Sequence, residues 1–207
     1  MRRSMADIAT AALERGPYAP GGTPGGVRSV DLDAGPVVAD LWTDDDLGFV
    51  LLLHRRRDGF PATELYWSTP GPDGRWTRAE HLSGGAYAWD RARDPWWEPG
   101  PDDAAFTVLS SSESLLLTGR GGFEGEEEGA ELVGFSELLV GARVDRLRVE
   151  RYGLGRASSY TAHSVLEKPL LSPLVLVAVR PGERVRLSAV DRDGTAGEGL
   201  ELLPPEG

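Results

Sequence analysis

Aromatic and arginine residues are concentrated in residues 83–103, a stretch that shows no sustained hydrophobic period. Long irregular loops of this kind often carry function. Trp, Tyr and Arg side chains supply much of the binding energy at protein interfaces. The pattern therefore predicts a contact surface formed by Tyr87, Trp89, Arg91, Arg93, Trp96 and Trp97. The alternative is that these rings fold inward and anchor the loop to its own domain.

Two charged stretches add further candidate binding residues. Residues 119–131 are rich in glycine and acidic side chains, with Glu126, Glu127 and Glu128 at the centre. This pattern favours a solvated loop or a docking patch for a basic partner. The sequence His-Arg-Arg-Arg at residues 54–57 is the positive counterpart. It is compatible with an anion site and with the end of a strand that projects into solvent.

Acidic residues in turns raise the question of calcium. Asp191 and Asp193 belong to an Asp-Arg-Asp-Gly sequence, and three consecutive aspartates occupy residues 44–46. Calcium takes about six to eight oxygen ligands, and neither stretch has the carboxylate spacing of an EF-hand. A turn accounts for both stretches. We therefore expect no cofactor, with calcium at Asp191 and Asp193 as the weaker alternative.

Signatures of catalysis are lacking in the sequence. The three histidines, His54, His81 and His163, are far apart, and no metalloprotease, serine-hydrolase or phosphate-loop motif occurs. Each histidine is interpreted as a hydrogen-bonded residue or a residue at a strand end rather than as a base. The expectation is that the protein is not an enzyme. A hydrolase with a carboxylate pair stays open, because such pairs assemble only in three dimensions.

Composition narrows the classes of partner. The chain has 207 residues, a formal net charge of −11 and no cysteine. The negative charge argues against nucleic acid and anionic membranes, since both attract Lys and Arg. A chain without cysteine has no disulfide and no thiolate chemistry. No apolar run is long enough for a membrane span, and no apolar stretch follows Arg2 and Arg3 as a signal peptide requires, so a cytoplasmic protein is predicted.

One helix is predicted near the N-terminus, over residues 4–15. Ser4 is placed to cap it, with Asp7 in capping-box position, and Gly16 ends it. So short a helix needs a surface to pack on, either its own domain, a second copy in a homodimer, or another protein. The sequence divides into residues 1–26 (helix and Gly/Pro-rich arm), 27–200 (a single β-sandwich domain) and 201–207 (a flexible tail).

About ten short apolar or alternating runs fill the rest of the chain, separated by Gly, Pro and Asp-Gly turns. Because no helical pattern separates them, the favoured fold class is an all-β antiparallel sandwich. The clearest signal is at residues 174–189, where an apolar run, a Pro-Gly turn and an alternating run predict a hairpin. A second hairpin is predicted over residues 105–118, a strand over 27–33, another strand over 75–82, an irregular loop over 83–103 and a frayed end over 195–207.

The functional expectation follows from these features together. A sandwich without catalytic signatures, with an aromatic loop and an acidic stretch, predicts a non-catalytic cytoplasmic protein-interaction or accessory module, with a basic protein as one class of partner. The first alternative is a carbohydrate-binding sandwich that uses Trp89, Trp96 and Trp97 as a stacking platform. The second is a β-sandwich hydrolase with a carboxylate pair.

Overall fold

The structure of the protein, a computed structural model, describes residues 3–16, 31–44, 46–86, 104–119, 129–154 and 160–204. These residues form one helix and eleven strands, and no helix among them is long and apolar enough to cross a membrane. The elements are α1 (Met5–Arg15), β1 (Val37–Thr43), β2 (Gly48–Arg55), β3 (Pro61–Ser68), β4 (Glu80–Ala86), β5 (Phe106–Leu117), β6 (Ala130–Val140), β7 (Val144–Leu154), β8 (Tyr160–Pro169), β9 (Leu174–Val179), β10 (Glu183–Asp191) and β11 (Ala196–Leu202).

The strands build three antiparallel sheets. The first sheet has the order β1-β2-β3-β4, the second β5-β6-β9 and the third β11-β10-β7-β8. Side chains from all three sheets enter one hydrophobic core. Within it, Phe49 of the first sheet meets Phe135 of the second edge to face, with ring centroids 5.1 Å apart. The predicted all-β antiparallel fold with one short N-terminal helix is confirmed.

Helix α1 covers the face of the first sheet that points away from this core. Ser4 Oγ accepts the N–H of Asp7, and Asp7 Oδ2 accepts the N–H of Ser4, each at 3.2 Å, so the predicted capping box is present. Gly48 permits close approach of the helix, because a Cβ there would lie 2.6 Å from Leu13 Cδ2. The helix therefore packs on its own chain, in a second core cluster that includes Ala9, Ala12, Leu13, Leu41, Val50, Leu52 and Tyr66.

The predicted hairpin over residues 174–189 is wrong, although both of its strands exist. β9 pairs with β6, whereas β10 pairs with β7 and β11, so the Pro-Gly turn carries the chain from the second sheet to the third. β9 is buried at every position, as its unbroken apolar run predicts. At the start of the turn, the buried Arg180 side chain lies 2.6 Å from Glu131 of β6 and 2.8 Å from Asp46. These ion pairs tie the turn to the second sheet through Glu131 and to the β1–β2 turn of the first sheet through Asp46.

Other local predictions also differ from the structure. In place of the hairpin predicted over residues 105–118, residues 106–117 form one long strand, β5, with a bulge between Val108 and Ser110. β4 covers residues 80–86, so it starts later than predicted and extends into the predicted loop, and β11 occupies part of the predicted frayed end. Residues 31–33, predicted to end a strand, lie outside any strand, and residues 32–34 form a bend. Ser-rich and Gly-rich stretches have weak strand preference, but pairing with a neighbouring strand outweighs it here.

A buried ion pair joins the edges of the three sheets. Lys168 of β8, the single lysine of the chain, has its Nζ 2.8 Å from Asp40 Oδ2 of β1. Asp40 Oδ2 also accepts the N–H of Leu176 in β9 at 2.7 Å, and Lys168 Nζ donates to the carbonyl of Leu41 at 2.5 Å. The pair thus satisfies backbone groups on β1 and β9, each an outermost strand of its sheet in the described chain. Burial raises the pKa of Asp40, and the charge of Lys168 opposes that rise.

Candidate functional site

The contact surface predicted from the sequence lies outside the described residues. Tyr87, Trp89, Arg91, Arg93, Trp96 and Trp97 fall within residues 87–103, and Glu126, Glu127 and Glu128 fall within residues 120–128. These segments precede and follow β5 in the chain. Their role as a binding surface stays a prediction.

Of the two calcium candidates, Asp191 ends β10 and Asp193 lies in the turn between β10 and β11. Asp193 Oδ1 accepts the N–H of Thr195 at 2.9 Å, and the N–H of Gly194 donates to the carbonyl of Asp191, also at 2.9 Å. The hydrogen bond from Thr195 holds the pKa of the Asp193 carboxyl below its usual range. Among the described residues, no group of three or more His, Asp or Glu side chains is arranged to hold a metal ion.

A cleft of about 880 Å³ opens between the start of α1, the turn at residues 31–36 and the end of β2. Small-molecule sites in proteins have volumes of about 300–1,000 Å³ and combine apolar walls with a few polar groups. This cleft has the same character. It is lined by Arg3, Ser4, Met5, Ile8, Leu32, Asp33, Ala34, Gly35, Pro36, His54, Arg55 and Arg56.

The turn at residues 31–36 is a fixed wall of the cleft. Leu32 is buried in the main core and anchors the turn. Asp31 Oδ1 accepts the N–H of Asp33 at 2.9 Å, and the N–H of Gly35 donates to the carbonyl of Leu32 at 3.3 Å. Gly35 has a φ of 129°, which an L side chain rarely adopts. Glycine at this position therefore lets the chain turn sharply beside the cleft.

Arginine side chains make the cleft positive. Three arginines and one aspartate line it, an excess of two positive charges in the lining itself, and the carboxylates of Asp58 and Glu64 contact Arg56 and His54 from outside the lining. Arg55 Nε donates to Asp33 Oδ1 at 3.0 Å, and Arg55 Nη1 donates to the carbonyl of Gly59 at 2.9 Å. Arg56 Nη2 lies 3.0 Å from Asp58 Oδ2. These contacts orient both guanidinium groups at the cleft wall.

Two histidines share one carboxylate beside this cleft. His54 Nε2 lies 3.4 Å from Glu64 Oε1, and His81 Nε2 lies 2.5 Å from Glu64 Oε2. The His54 side chain lines the cleft and is 12% exposed, whereas that of His81 is 50% exposed. Glu64 therefore links an imidazole in the cleft to one at the surface.

Strand register places His54 and Glu64 on one face of the first sheet. Glu64 of β3 pairs with Leu52 of β2, and His54 lies two residues further along β2. Residues two apart in a strand share a face, and diagonal neighbours across a strand pair are within reach of long side chains. Leu52 packs in the cluster around α1. His54 and Glu64 consequently point to the helix side of the sheet.

A β-bulge brings His81 to the same face. Glu64 pairs with Gly84 of β4, and the register then shifts by one residue, so that His81 lies opposite Tyr66. In a regular ladder Leu82 would occupy that place and His81 would point to the other face. Gly84 also provides room, because a Cβ there would lie 2.5 Å from Glu64 Oε2. The bulge and the glycine together allow the contact between His81 and Glu64.

A second carboxyl lies on the other side of the first sheet. Glu137 of β6 accepts a hydrogen bond from Thr63 Oγ1 at 3.3 Å, and burial raises its pKa to about 7. Thr63 and Glu64 are consecutive residues of β3, so their side chains point to opposite faces. Glu64 and Glu137 therefore do not form the kind of carboxylate pair that glycoside hydrolysis uses.

Part of this site is visible in the sequence. The run at residues 54–57 is recognised as compatible with an anion site, and the structure places His54, Arg55 and Arg56 in the cleft wall while Arg57 is not among the lining residues. Arg3 and Glu64 are not singled out by the sequence. No local pattern marks them, because their neighbours come from other elements of the chain.

Comparison of the chain with protein-family models, with curated proteins and with solved structures finds no match. The function is therefore inferred from the chemistry of the cleft and its surroundings.

Proposed function

We propose that the protein binds a small organic anion in the cleft between α1 and the end of β2. The observation that carries this proposal is the convergence of three arginines and one histidine on a concave surface of a strongly acidic protein. Excess positive charge on this surface attracts anions, while the negative charge of the whole chain disfavours large polyanions such as nucleic acid.

The lining indicates the class of ligand. Guanidinium groups bind carboxylate, phosphate and sulfonate oxygens through charge-assisted hydrogen bonds. Apolar side chains from the helix and the turn, namely Met5, Ile8 and Leu32, also line the cleft. A ligand with one anionic group and a short apolar part matches both kinds of lining residue. The arginines would hold the anionic group, and the apolar wall would exclude water from the remainder.

The test is a titration with hexanesulfonate, followed by two-dimensional NMR of the backbone amides and by calorimetry. The variant R3Q/R56Q removes two cleft arginines, and R57Q removes the neighbouring arginine that does not line the cleft. A hydrogen bond to a charged group contributes about 1.5–3 kcal/mol, so we expect affinity to fall at least about tenfold for each cleft arginine removed. R57Q should bind like the wild type, and hexanol should bind far more weakly than hexanesulfonate.

Two results would contradict the proposal. Equal losses of affinity in R57Q and R3Q/R56Q would show a diffuse charge effect in place of a site. Amide shifts that are scattered over the surface, without a cluster at residues 3–8, 32–36 and 54–56, would show that the cleft is not where the anion binds.

A second candidate function is the binding of a basic protein segment at β5. β5 is an outermost strand of its sheet in the described chain, and it exposes the large apolar side chains of Val108, Leu115 and Leu117. Such an edge can accept an extended segment as an additional strand. The acidic and aromatic segments that flank β5 in the chain favour a partner with alternating apolar and basic residues. The carbohydrate-binding and hydrolase alternatives stay predictions from the sequence.

The strand-addition proposal is tested with a soluble peptide of alternating Lys and Val. We expect it to shift the amide signals of β5, and a matched Glu-Val peptide should not. L115S/L117S should weaken the effect, since it removes apolar contacts while leaving the backbone edge intact. An unchanged β5 spectrum with the Lys-Val peptide would rule against this surface.

A further inference from the structure

His54 differs from the other basic residues of the cleft because it is an imidazole, whose charge ordinarily changes near neutral pH. The groups around it come from every element that forms the site. Glu64 of β3 faces it directly, with His81 of β4 on the far side of that carboxylate. Arg3, Arg55, Arg56 and Asp33 line the same cleft.

These neighbours act on His54 in opposite directions. The guanidinium groups disfavour another positive charge in the cleft, whereas the carboxylate of Glu64 favours a charged ring. An anion that occupies the cleft offsets the field of the arginines but leaves the contact between Glu64 and His54 in place. The equilibrium between the neutral and the protonated ring of His54 then shifts toward the protonated form.

We propose that His54 takes up a proton when the anion binds, with Glu64 orienting the charged ring, so that the cleft binds an anion together with a proton. This inference rests on the proposed function and adds its regulation. Because linkage is reciprocal, a rise in pH that removes the proton weakens anion binding by the same factor by which the anion favours the proton. The cleft therefore binds most tightly in mildly acidic solution.

His81 provides a matched control within the same cluster. It contacts the same carboxylate at 2.5 Å, but it is half exposed and does not line the cleft. It is therefore not positioned to contact a ligand that occupies the cleft. H54Q and H81Q therefore remove one imidazole each from Glu64, but only H54Q removes one from the cleft.

The experiment is calorimetry of hexanesulfonate binding at about pH 6, 7 and 8, in buffers that differ in ionisation enthalpy. The sulfonate keeps its charge over this range, so any proton taken up is bound by the protein. For the wild type and H81Q we expect uptake of a fraction of a proton and an affinity that falls about tenfold from pH 6 to pH 8, within the usual range of coupling. For H54Q we expect no uptake and a pH-independent affinity.

A second measurement does not depend on the folding of any variant. The ring signals of His54 in the wild-type protein are followed against pH by NMR, with and without hexanesulfonate, and the titration midpoint of His54 should rise when the probe is bound. Binding without proton uptake, or uptake that persists in H54Q, would overturn this inference and leave the proposed function intact. No binding at any of the three pH values would overturn the proposed function as well.

Discussion

Replacement of Glu137 by glutamine should change how the stability of the fold depends on pH. Burial between the first two sheets raises the pKa of this carboxyl from its ordinary value of 4.5 to about 7. Below pH 4.5 the group is protonated in both the folded and the unfolded chain, so it does not make the free energy of unfolding depend on pH. Between pH 4.5 and 7 the unfolded chain loses this proton and the folded chain keeps it, so the free energy of unfolding decreases as pH rises.

The size of this effect follows from the pKa shift. One pKa unit corresponds to about 1.36 kcal/mol, so a rise from 4.5 to about 7 costs the folded state up to about 3 kcal/mol above pH 7. Glutamine has a similar shape and carries no charge, and its amide oxygen can accept the hydrogen bond that Thr63 Oγ1 donates to Glu137. The E137Q variant should therefore lack this loss of stability.

The assay is urea denaturation of the wild type and E137Q at fixed pH values from about 4 to 8.5. Subtracting the free energy of unfolding of the wild type from that of E137Q cancels the contribution of every other titrating group. This difference should increase by about 3 kcal/mol over the pH range. E113Q, which removes a carboxyl at an exposed position of β5, is the matched control. If the difference for E137Q is constant, the carboxyl titrates in the folded state as it does in the unfolded chain, and the argument fails.

Two further predictions concern the packing of the sheets and the helix. K168M should lower the free energy of unfolding, measured in urea, by about 3–5 kcal/mol, because it leaves Asp40 buried without its cation. D40N/K168M should be more stable than K168M, because it leaves no unpaired charge buried. G48A should lower the free energy of unfolding by about 1–3 kcal/mol, since the added Cβ would lie 2.6 Å from Leu13 Cδ2. G85A is the control, because a Cβ there meets nothing within 4 Å, and it should leave the melting temperature nearly unchanged. An intact melting temperature in G48A, or equal stability of K168M and the wild type, would contradict these packing arguments.

Local patterns predict the strands of this protein better than their pairing. The apolar run of β9 and the alternating run of β10 are strands, as the periodicity indicates, and a turn does lie between them. The two strands nevertheless belong to different sheets. Pairing depends on distant residues, such as the buried Arg180 that fastens the turn to Glu131, and turn chemistry carries no record of those contacts.

The cluster of His54, Glu64 and His81 could not be predicted from the sequence, because its geometry depends on two shifts in strand register, each by one residue. A two-residue loop at Asp58-Gly59 would pair His54 with residue 63 and leave Glu64 on the opposite face. The structure closes this hairpin between Arg56 and Phe60, around a loop that is one residue longer, and His54 pairs with residue 62.

The second shift is the bulge in β4, without which His81 would point into the core face. Each shift moves the side chain of every residue beyond it to the opposite face of the sheet. The spacing of residues in the sequence therefore does not predict either contact with Glu64. Both shifts are needed before one carboxylate can hold two imidazoles.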